Sequence, residues 1–299
     1  MARILDEAAV RAVLRMDELI EAIEQALIAF SAGRVEQPVR QIVKSHDGFF
    51  GTMPAGGPGI GLGAKLVTFY PDNAGLGLHT HDALIALFRP ESGEPLAVMD
   101  GRLITEMRTA AASAVATRAL AKADAQVLAI LGTGVQARAH VEALRLVRPF
   151  REIRIWGRTT ANAERCAAEV GADAVASAEE AVAGADVVVT ATSASEPVLR
   201  GAWLAPHAHV NAVGWSGPTG RELDDEVVRG AFIVADSREA VMKEAGDILV
   251  PGVRVDAELG ELLAGTKAAP AGKRTLFESV GIAVEDVAAA NLVYQRACA

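Results

Sequence analysis

Aromatic residues and cysteines are scarce in this chain of 299 residues. Phe, Trp and Tyr make up 4% of the sequence, and the two cysteines, Cys166 and Cys298, form neither a CxxC pair nor a disulfide framework. This cysteine usage argues against a disulfide-stapled secreted domain. It favours a reducing, cytoplasmic compartment.

Basic residues are also in deficit, because 29 Lys and Arg stand against 38 Asp and Glu, which gives a formal net charge of -9. This balance argues against the basic face that a nucleic-acid surface needs, so we expect no nucleic-acid partner. No apolar run approaches the roughly 20 residues that cross a membrane, so we expect no membrane partner. The start of the chain is charged and lacks the apolar centre of a signal peptide. Hydrophobic residues still make up 51% of the sequence, enough for one large or two ordinary domains.

The first hundred residues predict an α+β domain. Residues 17–32 have apolar side chains at a helical period, with Asp17 as a possible N-cap. Short apolar stretches separated by Gly, Pro and Asn then predict strands at 39–43, 49–53, 60–70, 83–88 and 96–99. The alanine-rich residues 103–123 predict a helix that joins this domain to the next.

A strand, a glycine turn and a helix follow at 126–146. The apolar run Val127–Leu131 precedes Gly132-Thr-Gly134-Val-Gln-Ala137, and an amphipathic segment comes next. This is the order of a dinucleotide-binding βαβ unit, in which Gly132 allows the turn and Gly134 lets the backbone approach a pyrophosphate. The strands and helices that alternate after it predict a doubly wound parallel sheet, a Rossmann fold.

The end of the next strand bears on the choice of cofactor. An acidic residue commonly stands about 20 positions after the glycines and binds the ribose 2′-hydroxyl. Here Gly157 takes its place, and Arg158 and Thr159 follow. A guanidinium suits a 2′-phosphate, so we expect NADP(H) in preference to NAD(H), which stays possible. The alternative is a solvated loop arginine.

Three cations of the first domain are candidates for substrate binding: Arg40, Lys65 and Arg108. Lys65 lies among small and apolar residues, so its side chain either reaches the surface or points into a cleft, where its pKa would fall. Arg108 either contacts the substrate or forms a surface ion pair with Glu106. Thr109 could place a hydroxyl near a phosphate.

Four histidines form two His-x-His pairs, at 79–81 and 207–209. A pair of this spacing would lie on one strand face, but no third ligand stands at a suitable distance, so we expect no metal. His81 is a candidate proton donor because imidazole titrates near neutral pH. A packed or solvent-facing histidine is the alternative.

Motifs along nearly the whole chain together resemble the ornithine cyclodeaminase/mu-crystallin family. They are QPVR (37–40), MPA (53–55), GLGAK (61–65), SGEPLAVMDG (92–101), RTAAASAVAT (108–117), LGTGVQA (131–137), IWGRT (155–159), NAVG (211–214), RELDDE (221–226), DSREA (236–240) and KEAGD (243–247). The resemblance implies a substrate-binding and dimerisation domain at 1–117, completed by 283–299, and an NAD(P)-binding Rossmann domain at 118–282. It also implies a homodimer and nicotinamide chemistry on small amino or imino acids.

The resemblance also assigns roles to residues of this chain. It implies that Arg40, Lys65 and Arg108 bind the substrate carboxylate. The matching cofactor positions are Thr109, Gly132, Gly134, Val135 and Gln136 for the pyrophosphate, Arg158, Thr159 and Asn162 for the ribose phosphate, and Val213 and Ser279 for the nicotinamide end.

Ser216 is the main departure from the cyclodeaminases, which carry an aspartate there that assists amine oxidation and ring closure. Serine cannot hold that charge at neutral pH. The chain is more similar to the ketimine reductase branch, which includes 1-pyrroline-2-carboxylate reductases, at this position and at His81, Glu244 and Tyr294. A net reductase also draws on NADPH, in agreement with Arg158.

We therefore expect NAD(P)H-dependent reduction of 1-pyrroline-2-carboxylate or 1-piperideine-2-carboxylate to L-proline or L-pipecolate. Lys65, Arg40, Arg108 and His81 would be the catalytic residues, and Ser216 and Glu244 would join the substrate site. The alternatives are a cyclodeaminase-type lyase, an alanine dehydrogenase-like oxidative deaminase, and a non-catalytic NADPH- or ligand-binding protein.

Overall fold

The chain divides into two compact units. The computed structural model describes residues 2–214 and 217–298. Unit 1 comprises Met1–Arg108 and Ile282–Ala299, and unit 2 comprises Thr109–Gly281. The boundary between the units follows Arg108 rather than residue 117, because it falls inside a continuous helix that offers no Gly or Pro to mark it in the sequence.

Unit 1 is built on a six-stranded sheet with the order β1-β6-β5-β4-β3-β2. The strands are β1 (Arg3–Leu5), β2 (Gln41–Ser45), β3 (Gly48–Gly57), β4 (Gly61–Phe69), β5 (His81–Phe88) and β6 (Pro95–Asp100). Strands β2 to β6 form an antiparallel meander, and β1 pairs with β6 in parallel. The predicted α+β section is confirmed, with strand ends shifted by a few residues. A 3-10 helix, Pro71–Leu76, connects β4 and β5.

Helices cover one face of this sheet. They are α1 (Glu7–Val13), α2 (Met16–Ser31) and α11 (Ala283–Cys298), and α11 packs against α2 and against β3, β4 and β5. The prediction of Asp17 as N-cap is wrong. The N-cap of α2 is Arg15, because the buried Met16 already belongs to the helix, and Asp17 lies in its first turn. A carboxylate there still stabilises the positive end of the helix.

The opposite face of the sheet, here called the open face, carries exposed apolar side chains. Strand alternation and register bring six of them to this side, namely Ile4, Val43, Phe50, Leu62, Leu66 and Leu84. Leu66 lies opposite Leu84, and both are at least 38% exposed. Exposed apolar side chains on one face of a sheet make that face a candidate interaction surface.

Unit 2 contains an eight-stranded, all-parallel sheet with the order β13-β12-β14-β11-β10-β7-β8-β9. The strands are β7 (Val127–Leu131), β8 (Glu152–Trp156), β9 (Asp173–Ala174), β10 (Val187–Thr190), β11 (His209–Ala212), β12 (Phe232–Ala235), β13 (Ala257–Glu258) and β14 (Thr275–Glu278). The predicted doubly wound Rossmann sheet is confirmed. The strand order reverses between β7 and β10, and such switch points hold the ligand in open α/β sheets.

The helices of unit 2 connect these strands. They are α3 (Arg102–Leu120), which begins in unit 1, α4 (Val135–Arg145), α5 (Thr160–Val170), α6 (Ala178–Val182), α7 (Asp225–Gly230), α8 (Arg238–Glu244), α9 (Gly246–Leu249) and α10 (Leu259–Leu263), with a 3-10 turn at Gly201–Trp203. No helix of the described residues is both long and apolar enough to cross a membrane.

Candidate active site

Lys65 is buried in the centre of unit 1. It occupies an inward-facing position of β4, and its register partners Met53 on β3 and Ile85 on β5 are buried and apolar. Its side chain is 2% exposed, and its Nζ lies 2.8 Å from Oδ2 of Asp286. The interpretation of Lys65 as a surface residue is therefore wrong.

Arg108 lies beside it. Its Nε donates a 3.0 Å hydrogen bond to Oδ1 of Asp286, and its Nη1 donates a 2.8 Å hydrogen bond to Oε2 of Glu285. The guanidinium side chain is 6% exposed, so the alternative of a surface ion pair with Glu106 is wrong. Arg108 opens a stretch of α3, residues 108–117, that is buried throughout.

Glu285 and Asp286 were not singled out from the sequence. Both lie in the first turn of α11 and are fully buried. The positive end of the helix stabilises their negative charge. Gln37, in the segment that leads to Arg40, accepts a 2.6 Å hydrogen bond from the N–H of Val284 with its Oε1 and so ties this segment to the same turn. The available signal was an acidic pair at the start of an otherwise apolar helix.

The charges of this cluster shift one another's pKa values. Burial lowers the pKa of Lys65 to about 8; Asp286 opposes this effect, and the charges of Arg108 and Arg40 add to it. Burial alone would raise the pKa of Asp286, but Arg108 and Lys65 together bring it below its usual value. Arg40, Lys65, Arg108, Glu285 and Asp286 are called the charged cluster below.

His81 stands at the start of β5, at the edge of the charged cluster. Burial, together with the charges of Lys65 and Arg108, lowers its pKa to about 4. The imidazole is therefore neutral at neutral pH. This charge state disfavours His81 as the proton donor, although the ring can still accept or donate a hydrogen bond.

The glycine turn of unit 2 leaves open space at the N-terminus of a helix. Gly132 follows β7 with a φ of 139°, and a Cβ there would collide with the carbonyl oxygen of Ala191, so only glycine fits. Gly134 is the N-cap of α4, makes no side-chain cap and has no heavy atom near the position of a Cβ. Gln136 has a buried Oε1 without a hydrogen-bond partner among the described residues. Val135, the first residue of α4, is 51% exposed. The uncapped amides of α4 fit a pyrophosphate.

The segment after β8 fits a second phosphate. Arg158 is exposed and makes no hydrogen bond or ion pair within residues 2–214 and 217–298. Thr159 is the N-cap of α5 but makes no side-chain cap, so its hydroxyl is available. Asn162 in the first turn accepts a 2.7 Å hydrogen bond from Arg165. A Cβ on Gly157 would collide with the Thr133 side chain, so an acidic residue at this position would require Thr133 to move.

Other predicted cofactor residues line the carboxyl edge of the same sheet. Val213 follows β11, and its N–H bonds the carbonyl of Thr190 at 3.0 Å. Ser279 follows the neighbouring β14, and its hydroxyl donates a 2.9 Å hydrogen bond to Asp236. Thr109 is buried in α3. The predicted substrate residue Glu244 ends α8 and is half-buried, whereas Ser216 lies outside the described residues.

Buried acids beneath this edge were also not predicted. Glu222 accepts a 2.7 Å hydrogen bond from the N–H of Thr192, after β10, and a 2.9 Å hydrogen bond from the N–H of Gly214, after β11. Burial raises the pKa of Glu222 to about 7 and that of Asp247 to about 6. Burial raises the pKa of Glu278 well above its usual value, as do the neighbouring carboxylates. Glu222 thus ties together two segments that follow central strands.

The two histidines of the pair at 207–209 serve as hydrogen-bonding groups. His209 is buried, with Nδ1 2.9 Å from the Thr275 hydroxyl and Nε2 3.2 Å from Oδ1 of Asn211. His207 lies 3.3 Å from Asp186. Among the described residues no group of three or more His, Cys, Asp or Glu has the geometry to hold a metal ion.

The chain is similar to known proteins over nearly its full length. The model of the ornithine cyclodeaminase/mu-crystallin family matches residues 2–299. The ketimine reductase mu-crystallin of Mus musculus is 49% identical over 284 residues, which cover 92% of this chain and 91% of the mouse protein.

Two solved structures are similar in fold. The Delta(1)-pyrroline-2-carboxylate reductase of Thermococcus litoralis, in complex with NADH and L-proline, superposes with a TM-score of 0.94 at 38% identity and covers 99% of this chain and 97% of its own. An archaeal alanine dehydrogenase dimer with bound NAD has a TM-score of 0.94 at 34% identity, with coverages of 99% and 96%. The chain belongs to the ornithine cyclodeaminase/mu-crystallin family.

Proposed function

We propose that this protein is an NAD(P)H-dependent imine reductase. Its substrates would be the small cyclic 2-imino acids 1-pyrroline-2-carboxylate or 1-piperideine-2-carboxylate, and its products L-proline or L-pipecolate. The observation that carries the proposal is the charged cluster, in which a buried lysine and a buried arginine share one carboxylate. The ketimine reductase and pyrroline-carboxylate reductase relatives support the same chemistry.

The net charge of the cluster suits a substrate with one carboxylate. Three cations face two carboxylates, so the fully ionised cluster carries one positive charge, and a monoanionic imino acid would neutralise it. Arg40, Lys65 and Arg108 would hold the substrate carboxylate. Bidentate or paired recognition of a carboxylate by such groups fixes its orientation as well as its position. Ser216 and Glu244 are proposed as further substrate contacts.

Reduction of the imine requires a proton at nitrogen and a hydride at carbon. When bound, the reduced nicotinamide supplies the hydride. The proton is best supplied by a group that is still charged at neutral pH, and Lys65, with a pKa of about 8, meets that condition. A new N–H bond and a new C–H bond then replace the C=N double bond, and a secondary amino acid results.

The cofactor would be held by the residues of unit 2 described above. The amides at Gly134, Val135 and Gln136 after the Gly132 turn, with the Thr109 hydroxyl, would bind the pyrophosphate. Arg158, Thr159 and Asn162 would bind a 2′-phosphate, and Val213 and Ser279 the nicotinamide end. We propose a preference for NADPH over NADH, because a guanidinium and an uncapped helix N-terminus together favour a dianion. NADPH chemistry and the two free cysteines both suit the cytoplasm.

The functional form is proposed to be a homodimer joined through the open face. The exposed apolar side chains of this face, among them Leu62, Leu66 and Leu84, would be buried against the same residues of a second copy. Such a pairing is isologous, the usual geometry of a symmetric dimer. The dimeric state of the archaeal alanine dehydrogenase supports it.

Oxidative deamination of alanine is the second candidate, favoured by the similarity to the archaeal alanine dehydrogenase. Oxidation of NADPH and of NADH is to be measured with each cyclic imino acid and with pyruvate plus ammonia. With ornithine, the release of ammonia is to be measured together with any net change in the cofactor. The proposed reductase oxidises NADPH with the cyclic imino acids. Activity only with pyruvate and ammonia would establish the dehydrogenase, and ammonia release from ornithine without net cofactor consumption would establish a lyase. Tight NADPH binding without turnover of any of these substrates would support the alternative of a non-catalytic ligand-binding protein.

A further inference from the structure

Asp286 joins the two buried cations of unit 1 through separate oxygens. Its Oδ2 lies 2.8 Å from Lys65 Nζ, and its Oδ1 accepts a 3.0 Å hydrogen bond from Arg108 Nε. The carboxylate itself is fully buried. Because each oxygen has a different cation, Asp286 fixes the position of Lys65 Nζ relative to the Arg108 guanidinium.

The other neighbours of Lys65 disfavour its charge. Met53 and Ile85 flank it on the adjacent strands and offer no hydrogen bond to an ammonium group. The nearby cations Arg108 and Arg40 repel it. A buried lysine without a counter-ion loses its proton near neutral pH. Asp286 is therefore the contact that favours the ammonium form.

We propose that Asp286 is a positioning residue that keeps Lys65 as an ammonium ion and aims it, so that Lys65 is the proton donor to the imine nitrogen. This inference rests on the proposed function. In the step itself an Nζ–H bond of Lys65 would break and an N–H bond would form on the substrate. A bound reduced nicotinamide would supply the hydride to the imine carbon and would itself be oxidised. Lys65 regains its proton from water between turnovers.

Charged and titratable groups from four segments of the chain surround Lys65. They are Glu285 and Asp286 on α11, Arg108 on α3, Arg40 before β2 and His81 on β5. His81 is neutral at neutral pH and so contributes no charge there. The pKa of Lys65, about 8, is the balance of burial and two cations against Asp286. Removal of the Asp286 charge must lower it.

The test is the pH dependence of kcat/KM for NADPH-dependent reduction of 1-pyrroline-2-carboxylate. Wild type should lose activity above about pH 8. In Asp286→Asn this alkaline limb should move down by at least about one pH unit, because a neighbouring opposite charge raises the pKa of an ammonium group by about that much or more. The titration of the substrate imine is common to all variants and cancels in the comparison. An unchanged limb in Asp286→Asn would overturn the assignment.

Two further variants separate charge from folding. Glu285→Gln removes the neighbouring carboxylate, which pairs with Arg108, and should lower activity while the alkaline limb stays near that of wild type. Asp286→Glu keeps the negative charge and should also retain the limb. If Asp286→Asn does not fold, a shifted limb in Asp286→Glu would refute the role of Asp286.

A binding measurement distinguishes failure of this inference from failure of the proposed function. Pyrrole-2-carboxylate is a planar analogue that cannot accept a hydride, and its affinity is to be measured by calorimetry between pH 6 and pH 10 in the NADPH-loaded enzyme. Affinity should fall above about pH 8 in wild type and at lower pH in Asp286→Asn. Absence of turnover by wild type would refute only the proposed reduction, whereas identical affinity profiles would refute the role of Asp286.

Discussion

Glu222 binds the backbone at Gly214 by a direct hydrogen bond. The carboxylate of Glu222 accepts the Gly214 N–H at 2.9 Å, and a Cβ on Gly214 would lie 2.5 Å from that carboxylate. The same carboxylate accepts the N–H of Thr192 at 2.7 Å. A single buried acid thus sets the backbone after β10 and after β11.

Replacement of Glu222 by Gln should change the pH dependence of stability. Burial raises the pKa of Glu222 in the folded protein to about 7 from an ordinary 4.5. A raised carboxyl pKa means that the folded state binds the extra proton, so this contribution to stability is full below pH 4.5 and is lost as the pH rises through 7. The free energy of unfolding of wild type, relative to Glu222→Gln, should therefore fall by roughly 3 kcal/mol between pH 4.5 and pH 7.5. Urea unfolding of both proteins at both pH values measures these free energies. If the difference between wild type and Glu222→Gln is the same at both pH values, the raised pKa of Glu222 is contradicted.

Arg158→Asp should shift the cofactor preference from NADPH towards NADH. The substitution removes the guanidinium and with it the charge-assisted hydrogen bonds to the 2′-phosphate, which are worth about 1.5–3 kcal/mol. The kcat/KM for NADPH should therefore fall by roughly 10- to 100-fold. Steady-state kinetics with both cofactors measures the ratio. Arg151→Asp, at the other end of β8, is the matched control and should leave the ratio unchanged. Equal selectivity in Arg158→Asp and wild type would refute the 2′-phosphate site.

Lys65→Ala should lower imine reduction by orders of magnitude while NADPH affinity stays near that of wild type. The substitution removes a cation and leaves Asp286 with one partner fewer, so some loss of stability, about 3–5 kcal/mol, is also expected. Activity and NADPH binding are to be compared at a temperature where the variant is folded. Lys44→Ala on the exposed strand β2 serves as control. Survival of full activity would remove Lys65 from the mechanism.

Leu66→Glu should convert the proposed homodimer to a monomer. The substitution places a charge at the centre of the open face, opposite Leu84, where a second copy would have to desolvate it. Sedimentation velocity measures the mass in solution. Leu146→Glu, at an exposed apolar position of unit 2, is the control and should remain a dimer. A monomeric wild type would exclude the dimer, and a dimeric Leu66→Glu variant would exclude the open face as its interface.

Local patterns in the sequence predicted much of the nucleotide-binding unit. Val127–Leu131 has the same bounds in sequence and structure, because it is an apolar run ended by Gly. The central strand Thr275–Glu278 was not predicted. It is four residues long, and it ends on a glutamate whose burial depends on strands far away in the chain.

The three cations of the site were predicted, but their counter-ions were not. Lys65 was conspicuous because its neighbours in the chain are small and apolar. Asp286 follows Lys65 by 221 positions in the chain, and only the packing of α11 on β4 brings the two together. Burial of Arg108 likewise depends on α11, so no pattern around residue 108 could exclude a surface ion pair.

The contact between Gln37 and Val284 bears on the order in which the chain folds during synthesis. Unit 1 begins at the N-terminus, yet Lys65 and Arg108 meet their buried carboxylates only in residues 285 and 286. Thr109–Gly281, by contrast, is continuous in the chain. On the ribosome the nucleotide-binding unit can therefore complete its contacts first. Lys65 and Arg108 are synthesised earlier, but they can contact Glu285 and Asp286 only after α11 has been synthesised. A chain that stops at residue 281 would keep the Rossmann sheet and lose the charged cluster.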